Sequence, residues 1–415
     1  MTTLAQRAAA LTLAAGATLL PSLGRAQGRP AGDTAATAGQ APAPQPRRAW
    51  YDRLSLRGYT QVRYNRLLET NPELTCQQCD RSIGENGGFF IRRARLVISG
   101  DVSDRVSIYI QPDLAADAAG ALHYLQLRDA YFDVFLDARK QFRARVGQSK
   151  VPWGWENLQS SSNRLPLDRN DALNSAIPNE RDLGVFLYFN TPEARKRWRI
   201  LTDSGLKGSG DYGVVGLGSY NGQTANRPEA NNGAHTVARL AYPFRFPNGQ
   251  FLELGVQGYT GTFAIPASQR TAGVLGPARF DDRRAAASFV LYPQPVGIQA
   301  EWNGGTGPEV DPTARVIDER RLEGGYVQSM VRTHVGNQPL IPFVRAQYYR
   351  GGKKAETDAR RYRVREYELG AEWLPLAALE LTAMYTISDR RFEDAAAPDN
   401  RQKGQLLRLQ AQFNY

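Results

Sequence analysis

The feature that most constrains this chain is a strict alternation of apolar and polar side chains. Between residues 54 and 65, Leu56 and Val62 fall on one face of an extended segment. Arg57 and Arg63 fall on the opposite face. A period of two is the period of a β-strand whose two faces meet different surroundings. The pattern therefore predicts a strand with one apolar and one polar face.

The same alternation recurs along the chain, for example in residues 106–111, 142–146 and 407–415. Beyond the first two dozen residues, no apolar run approaches the roughly 18 residues that a membrane-spanning helix needs. Helical transporters and helical channels are therefore excluded. Many strands joined by turns and loops are expected instead.

One antiparallel transmembrane β-barrel, an all-β fold, accommodates this pattern. Divided into about 16 strands, with 14 or 18 as the alternatives, the chain from Trp50 onward leaves roughly 23 residues for each strand and its connection. Such a barrel has short turns at one end and long loops at the other. The polar stretches Glu69–Gly88, Ser160–Arg181 and Asn221–Ala234 are predicted to be extracellular loops.

Arginine favours this barrel over a soluble sandwich. The chain contains 45 Arg but only 7 Lys, and its formal net charge is +11. An arginine on the lipid face near the bilayer midplane costs about 2 to 4 kcal/mol, so the arginine face is predicted to line the lumen. The predicted pore-lining cations are Arg57, Arg63, Arg93, Arg95, Arg105, Arg143 and Arg145, with Lys150 in the loop that follows. The alternative for each is an ion pair with a carboxylate such as Asp129, Asp133 or Glu156, away from any solute.

Large aromatic side chains near strand ends are candidates for the girdles of a membrane barrel. They are Trp302, Tyr348, Tyr349, Trp373 and Tyr385. Packing inside the protein core is the alternative for each of them.

The N-terminus has the pattern of an export signal. Arg7 precedes an Ala/Leu-rich core, and small residues around Arg25 form a cleavage site, so residues 1–26 are predicted to be a signal peptide. Residues 27–49 are rich in Ala, Pro and Gly and are predicted to be a linker, because they contain too few large side chains to bury a core. The barrel is predicted to occupy residues 50–415.

Cys76 and Cys79, the only two cysteines, lie in a polar loop. In an exported protein such a pair favours a disulfide that constrains the loop. Haem attachment would need a His where Asp80 stands, and a metal site would need two further ligands that nearby residues do not supply. No cofactor and no metal are therefore expected.

Enzymatic and nucleic-acid-binding functions find little support in the sequence. The three histidines are scattered, and no nucleophile or phosphate-loop motif is present. The arginines follow the strand period instead of clustering, so their pattern does not favour nucleic acid as a partner.

Several motifs in order carry a resemblance to a known family. They include residues 89–96, 109–113, 127–131, 145–152, 181–185 and 220–222, which read FFIRRARL, YIQPD, LRDAY, RVGQSKVP, RDLGV and YNG. The chain resembles the phosphate-selective porin O and P family of Gram-negative outer membranes. The resemblance implies a 16-stranded, trimeric, anion-conducting barrel with an arginine ladder and a constriction that binds phosphate. The family's paired arginines of the second strand fall on Arg92 and Arg93, and a headgroup anchor is the alternative for Arg92.

Lysine is where the chain departs from the family pattern. Family members that bind phosphate carry lysines around the inward-folded loop, whereas this loop offers Lys150 but Asn157 and Asn163. General anion selectivity is therefore favoured over strict phosphate specificity.

The leading functional hypothesis is an outer-membrane porin for anions such as phosphate or polyphosphate. The alternatives are a porin of the same fold for other small hydrophilic or organic-acid solutes, and a non-conducting structural or adhesive barrel. Membrane lipids and the outer-membrane assembly machinery are the expected partners, with Phe413 and Tyr415 as the C-terminal residues that close the barrel.

Overall fold

The computed structural model describes residues 49–76, 87–118 and 121–415. In these residues the alternating segments form seventeen strands of one sheet. The strands are β1 Leu54–Leu67, β2 Gly88–Asp101, β3 Val106–Ala118, β4 Ala121–Phe135, β5 Phe142–Lys150, β6 Arg181–Phe189, β7 Val215–Tyr220, β8 His235–Arg245, β9 Phe251–Ala264, β10 Arg279–Leu291, β11 Val296–Asp311, β12 Val316–Val331, β13 Thr333–Val335, β14 Gln338–Gly352, β15 Arg361–Leu376, β16 Leu379–Glu393 and β17 Arg401–Asn414.

The sheet closes on itself because β1 pairs antiparallel with both β2 and β17. The short strand β13 continues β12 along the same partner, β14, so the seventeen strands fill 16 positions of the wall. The prediction of an antiparallel barrel with 16 strands is confirmed. Closure leaves no open sheet edge, which the hydrocarbon core of a membrane would not tolerate.

Connection lengths distinguish the two ends of the barrel. Short turns such as residues 102–105, 292–295 and 377–378 mark one end, which by the usual rule for such barrels faces the periplasm. An exception to the predicted short turns is residues 190–214, which include α3 (Pro192–Asp203) and which we call the helical connection. Its helix begins after Thr191, whose hydroxyl accepts a hydrogen bond from the Ala194 N–H at 3.2 Å.

The outer face of the strands has an apolar band with polar residues at its upper edge. On β15, Tyr367, Leu369 and Trp373 point outward below the outward-facing Arg363 and Arg365. The inward neighbours on the same strand are buried. This order is the one expected of a wall that meets lipid in its middle and headgroups at its rim.

Of the five aromatic residues predicted for the girdles, four lie on the outer face, namely Trp302, Tyr348, Trp373 and Tyr385. Tyr349 is the exception. It is fully buried and donates its hydroxyl to the Gly352 carbonyl at 2.6 Å, because its position on β14 points into the barrel.

The apolar core lies inside the barrel, between the wall and the chain that enters it. One cluster joins Trp153 and Leu173 of the β5–β6 connection to the wall residues Tyr259, Tyr349 and Val364. In the described residues, no helix has the length and apolar composition needed to span a bilayer. The predicted signal peptide and residues 27–48 of the predicted linker lie outside the described residues.

Candidate functional site: the charged interior of the barrel

The β5–β6 connection, residues 151–180, enters the barrel and is almost entirely buried; we call it the inner segment. It contains α1 (Trp155–Leu158), α2 (Asp171–Asn174) and the 3-10 turn Pro178–Glu180. The stretch Ser160–Arg181, which is predicted to be an extracellular loop, therefore lies mostly inside the barrel as part of the inner segment. Gly154 starts α1 with a φ of 73°, a conformation that favours glycine.

A carboxylate of the wall holds the first turn of the inner segment. Glu301 on β11 accepts the backbone N–H groups of Trp155 and Glu156 at 2.6 and 2.8 Å. The Glu156 side chain in turn accepts the Asn170 N–H at 2.7 Å and pairs with Arg345 at 2.8 Å. The segment is thus fixed to the far wall by charge-assisted hydrogen bonds, which are stronger than neutral ones.

Two aspartates of the inner segment connect it to further arginines of the wall. Asp168 pairs with Arg63 at 3.3 Å on β1 and with Arg408 on β17, and so spans the seam where the barrel closes. Asp171 pairs with Arg390 at 2.8 Å and with Lys353. Burial raises the pKa of Asp171, but these two cations outweigh it and lower the pKa to about 2.

The helical connection supports the inner segment from the periplasmic end. The amides of Gln159 and Asn163 donate to the carbonyls of Lys207 and Gly208 at 2.6 and 2.7 Å. Lys207 itself is buried and pairs with Glu372 of the wall. Burial lowers the pKa of Lys207, and the carboxylates of Glu372 and Glu380 more than reverse this, so that the pKa is raised. Two chain segments therefore occupy part of the barrel interior at this level.

Charge is unevenly distributed around the interior. We call the inward-facing side of β1–β6 the basic wall. Its cations are Arg57, Arg63, Arg92, Arg93, Arg95, Arg128, Arg143, Arg145, Lys150 and Arg181, and its carboxylates are Asp113, Asp129, Asp133 and Asp182. On the facing side, β8–β17 supply Glu253, Asp282, Glu301, Glu366, Glu368, Glu372 and Glu380 with Arg239, Arg284, Arg345, Arg390 and Arg408. A transverse field that is positive toward β1–β6 follows from this asymmetry.

The structure places the predicted residues of the first two strands in the interior, with one irregularity. The partner of Gln61 is Arg93 and that of Val62 is Ile91, so Arg92 is the extra residue of a β-bulge. The bulge turns both Arg92 and Arg93 inward, where Arg92 is buried near Arg63. Arg57 also points inward, but it lies exposed near the periplasmic mouth.

Several of the predicted cations are paired with carboxylates of the same wall. Arg95 donates to Asp113 at 2.7 Å, and Arg145 holds Asp133 with two hydrogen bonds at 2.8 and 2.9 Å. Arg143 approaches Asp133 at 3.6 Å but remains partly exposed. The ion-paired alternative thus describes Arg95 and Arg145 in this structure.

Lys150 and Arg105 occupy different surroundings from these arginines. The Lys150 ammonium is buried and donates to the carbonyls of Leu158 and Gln159 at 2.7 and 2.8 Å. Arg105 lies in the exposed turn between β2 and β3 and donates to the Leu136 carbonyl at 3.4 Å. The structure thus places Arg105 in a turn at the periplasmic end and not on a strand of the wall, because β3 begins only at Val106.

Sequence reasoning missed several interior cations. Arg239, Arg345 and Arg408 alternate with outward apolar residues, so the period-two pattern could have found them. Arg284 and Arg390 have charged outward neighbours, Arg283 and the pair Asp389 and Arg391, which obscure the pattern. Arg128 is the extra residue of a second bulge, opposite Gln111 and Pro112, and no period reveals it. Arg164 and Arg169 lie on the inner segment and carry no strand signal.

The inner-segment arginines lie among other cations. Burial, followed by the repulsion of Arg93, accounts for most of the decrease in the pKa of Arg164, which falls to about 10. In the part of the chain that the structure describes, Arg164 makes no ion pair and donates to the carbonyls of Pro166 and Leu167 at 2.9 and 2.8 Å. Arg169 pairs with Glu180 at 2.8 Å.

The remaining predicted residues concern the loop disulfide and the barrel seam. Cys76 is disulfide-bonded, while Cys79 lies outside the described residues, so their pairing stays a prediction. Phe413 pairs with Thr60, and the Tyr415 N–H donates to the Gly58 carbonyl at 3.0 Å. Both residues thus belong to the contact that joins the last strand to the first.

With the barrel and its charged interior described, the chain can be compared with known proteins. The family model described as phosphate-selective porin O and P matches residues 75–280 and 268–415. The chain belongs to this family and is an outer-membrane channel protein of the Gram-negative type. No curated protein matches the chain.

Solved structures with the same fold are distant in sequence. The outer-membrane channel DcaP of Acinetobacter baumannii has a TM-score of 0.52 and 13% identity, over 87% of this chain and 97% of that one. An anion-selective porin from Comamonas acidovorans has a TM-score of 0.53 and 9% identity, over 87% and 99%. The trimer form of OmpT from Vibrio cholerae has a TM-score of 0.51 and 11% identity, over 88% and 100%. At these identities the likeness shows the fold alone.

Proposed function

We propose that the barrel is a passive, anion-selective channel whose selectivity comes from the basic wall. The observation that carries the proposal is the excess of cations over carboxylates on the inward side of β1–β6, beside the inner segment that narrows the barrel. An anion entering this region loses part of its hydration, and closely spaced fixed cations replace it with several weak sites. Cations meet the same field as a barrier.

The periplasmic part of the basic wall supplies the most accessible positive side chains. Arg57 is exposed, and Arg143 is partly exposed with its guanidinium 4.7 Å from the Tyr188 ring centre. Tyr109 and Tyr131 stack nearby, with ring centres 5.1 Å apart. Arginine side chains next to tyrosine rings offer positive charge without tight bidentate binding, so that a bound anion can leave as well as enter.

General anion selectivity has more support than strict phosphate specificity. Asn157 and Asn163 stand where lysines of phosphate-binding members were expected, and their amides donate to the carbonyls of Leu173 and Gly208 at 3.0 and 2.7 Å. These side chains hold the inner segment in place and present no charge to a solute. Phosphate remains within the proposed range of solutes, as one anion among others. A trimeric assembly is also part of this proposal, supported by the family and by the trimer form of the OmpT barrel.

The test is the zero-current potential of the reconstituted protein in a planar bilayer under a KCl gradient. We expect an anion-selective potential, and a shift toward cations in Arg57→Glu, which reverses an exposed charge at the lumen mouth. Arg105→Glu is the matched control, because it reverses an exposed charge at the same end of the barrel in the turn between β2 and β3, where the side chain donates to the Leu136 carbonyl at 3.4 Å. Equal shifts in the two variants, or a cation-selective native channel, would refute the basic wall as the selectivity element.

Phosphate titration into the same bilayer separates the solute alternatives. Block of the chloride current by phosphate at concentrations where sulfate has no effect would establish a phosphate site. Equal, weak block by both anions is the result that we expect from a general anion channel. A correctly assembled barrel without conductance would instead favour a structural role.

A further inference from the structure

A second set of arginines lies on the outside of the barrel. At the long-loop end of β14–β17, Arg350, Arg363, Arg391 and Arg401 point away from the interior. The strand neighbours of the first three are buried. The register pairs Arg350 with Arg363, Arg363 with Arg391, and Arg391 with Arg401. Four like charges therefore stand in one row across four adjacent strands.

Such a row is unfavourable unless anions compensate it. Residues directly opposite in an antiparallel pair have Cβ atoms about 4.5–5.5 Å apart, and like charges at this spacing repel. Arg401 has Asp389 at 2.9 Å, and Arg391 has Glu393 at 3.5 Å. Among the described residues, neither Arg350 nor Arg363 makes an ion pair. The nearest carboxylate in the register is Glu323, opposite Arg350 on β12, so the centre of the row keeps an excess of positive charge.

A pocket of about 510 Å³ opens at this row. Its lining includes Arg321, Arg350, Arg361, Arg363 and Arg391, with Glu309, Glu323 and Glu393 as the only carboxylates in the lining. Planar guanidinium groups that converge on one space match the oxygen atoms of a phosphate group. The pocket therefore has the charge and the donors for a phosphorylated ligand.

An apolar groove of about 510 Å³ runs directly below the pocket on the same outer face. Its floor contains Ala300 and Ala346, and its sides contain Trp302, Tyr348 and Tyr367. The Trp302 and Tyr348 rings are nearly parallel, with centres 6.2 Å apart. Arg365 borders the groove and is two residues along β15 from Arg363 in the pocket, a separation of roughly 7 Å.

The exposed outward arginines on the strands of this end lie on one side of the barrel, from β10, with Arg279 and Arg283, to β17, with Arg401. At the same end, the outward positions of β6, β8 and β9 carry Leu183, Thr236 and Thr262. A general belt of headgroup anchors would surround the barrel, whereas this set occupies only the side that also has the groove. The confinement favours a specific site.

We propose that this outer face binds a phosphorylated, multiply acylated lipid of the outer leaflet, with its phosphate groups in the arginine pocket and an acyl chain in the groove. The position fits, because the long-loop end of the barrel is the end at the outer leaflet. The lipid balances the excess of arginines over carboxylates in the pocket lining, and its chain covers the aromatic groove. The inference depends on the outer-membrane location of the family and not on the proposed anion selectivity.

The test is a lipid titration of the purified, detergent-solubilised protein, read by native mass spectrometry. The probes are diphosphorylated lipid A, its dephosphorylated form and inorganic pyrophosphate. The site variant is Arg350→Gln with Arg363→Gln. The matched control is Arg279→Gln with Arg283→Gln, which removes two outward arginines near the same end but outside the pocket.

We expect the native protein and the control to bind diphosphorylated lipid A, and the site variant to bind it about tenfold or more weakly, as the loss of one charge-assisted hydrogen bond already implies. Filling the groove with Ala346→Phe should weaken lipid A binding but leave pyrophosphate binding unchanged. If pyrophosphate binds as tightly as diphosphorylated lipid A, the acyl chains contribute nothing and the site is one for free phosphate groups. That result would overturn the lipid assignment. Equal lipid binding by the site and control variants would overturn the site itself.

Three further readouts accompany the titration. Heat-modifiable gel mobility reports whether each variant has assembled, and the changed side chains are exposed, so assembly is expected. The zero-current potential of the site variant should equal that of the native channel, because the row lies outside the lumen. Oligomer mass measured in the same spectra shows whether a second barrel occupies the face, an outcome that would refute the lipid.

Discussion

Replacing Glu301 with alanine should release the first turn of the inner segment from the wall of the barrel. The Glu301 carboxylate accepts hydrogen bonds from Trp155 N, Glu156 N and Tyr326 Oη at 2.6, 2.8 and 3.0 Å, all in buried surroundings. The substitution removes all three hydrogen bonds at once. It leaves a space into which water or a displaced segment can move.

The magnitude follows from the three donors left behind. A buried donor without a partner costs about 1 to 3 kcal/mol, so the native arrangement loses roughly 3 to 9 kcal/mol before it relaxes. Even about 3 kcal/mol corresponds to roughly a hundredfold shift from the seated to the displaced segment. The pair between Arg345 and Glu156 and the bonds of Asn170 to the wall remain, so the segment is displaced at α1 without leaving the barrel.

The assay is single-channel conductance in a planar bilayer, together with the zero-current potential. Glu301→Ala should give a larger and noisier conductance with weaker ion selectivity, because α1 no longer holds the narrow region in one position. Gln299→Ala is the matched control. It lies on the same strand and face, is equally buried, and contacts Gln328 rather than the inner segment.

An assembled Glu301→Ala barrel with native conductance and native selectivity would refute the reasoning, because it would show that α1 does not set the width of the passage. Glu301→Gln should fall between the two, since its amide keeps one oxygen as an acceptor for the backbone N–H groups.

Three further predictions concern charge pairs and closure. Arg95→Met leaves the Asp113 carboxylate buried without its cation and should lower the stability of the barrel by about 3 to 5 kcal/mol. The loss is measured as a lower temperature at which the folded gel mobility disappears. Adding Asp113→Leu should restore most of the lost stability, and no recovery would contradict an origin in this ion pair. Because the pKa of Asp171 is lowered from 3.8 to about 2, its contribution to seating the inner segment is complete above about pH 4 and is lost as the pH falls through about 2. Conductance should therefore stay constant down to about pH 4 and rise only near pH 2, and a change that begins near neutral pH would contradict this assignment. Deleting Phe413–Tyr415 removes contacts with β1 and should abolish assembly, so normal surface abundance of the truncated protein would contradict the closure argument.

The sequence predicted the wall of the barrel well because the wall is built on a simple period. In β1, the inward set that begins at Arg57 and the outward set that begins at Leu56 follow directly from alternation, since each face meets one kind of surroundings. Arg105 fits the same alternation but lies one residue before β3. Periodicity does not locate strand ends, so the sequence alone could not show this.

Bulges and the inner segment could not be predicted in the same way. At Arg92 and at Arg128 an extra residue turns two adjacent side chains inward, and this depends on the register between strands. The inner segment has no strand period, so its polar residues resemble those of a solvent-exposed loop. Asp168 and Asp171 are buried only because cations from distant strands meet them inside the barrel.

Arginine has different roles in this protein according to its face and its partner. Inward arginines paired with carboxylates, such as Arg95 and Arg145, mainly hold the shape of the wall, since each charge is already compensated. Inward cations held mainly by backbone carbonyls, such as Lys150 and Arg164, are buried and make no ion pair among the described residues. Function therefore follows from which charges the fold leaves uncompensated, and not from the number of arginines. The same argument applied to the outer face identifies Arg350 and Arg363, which make no ion pair among the described residues and lie in a pocket where arginines outnumber carboxylates, so that further negative charge is expected from the membrane instead of from the solute.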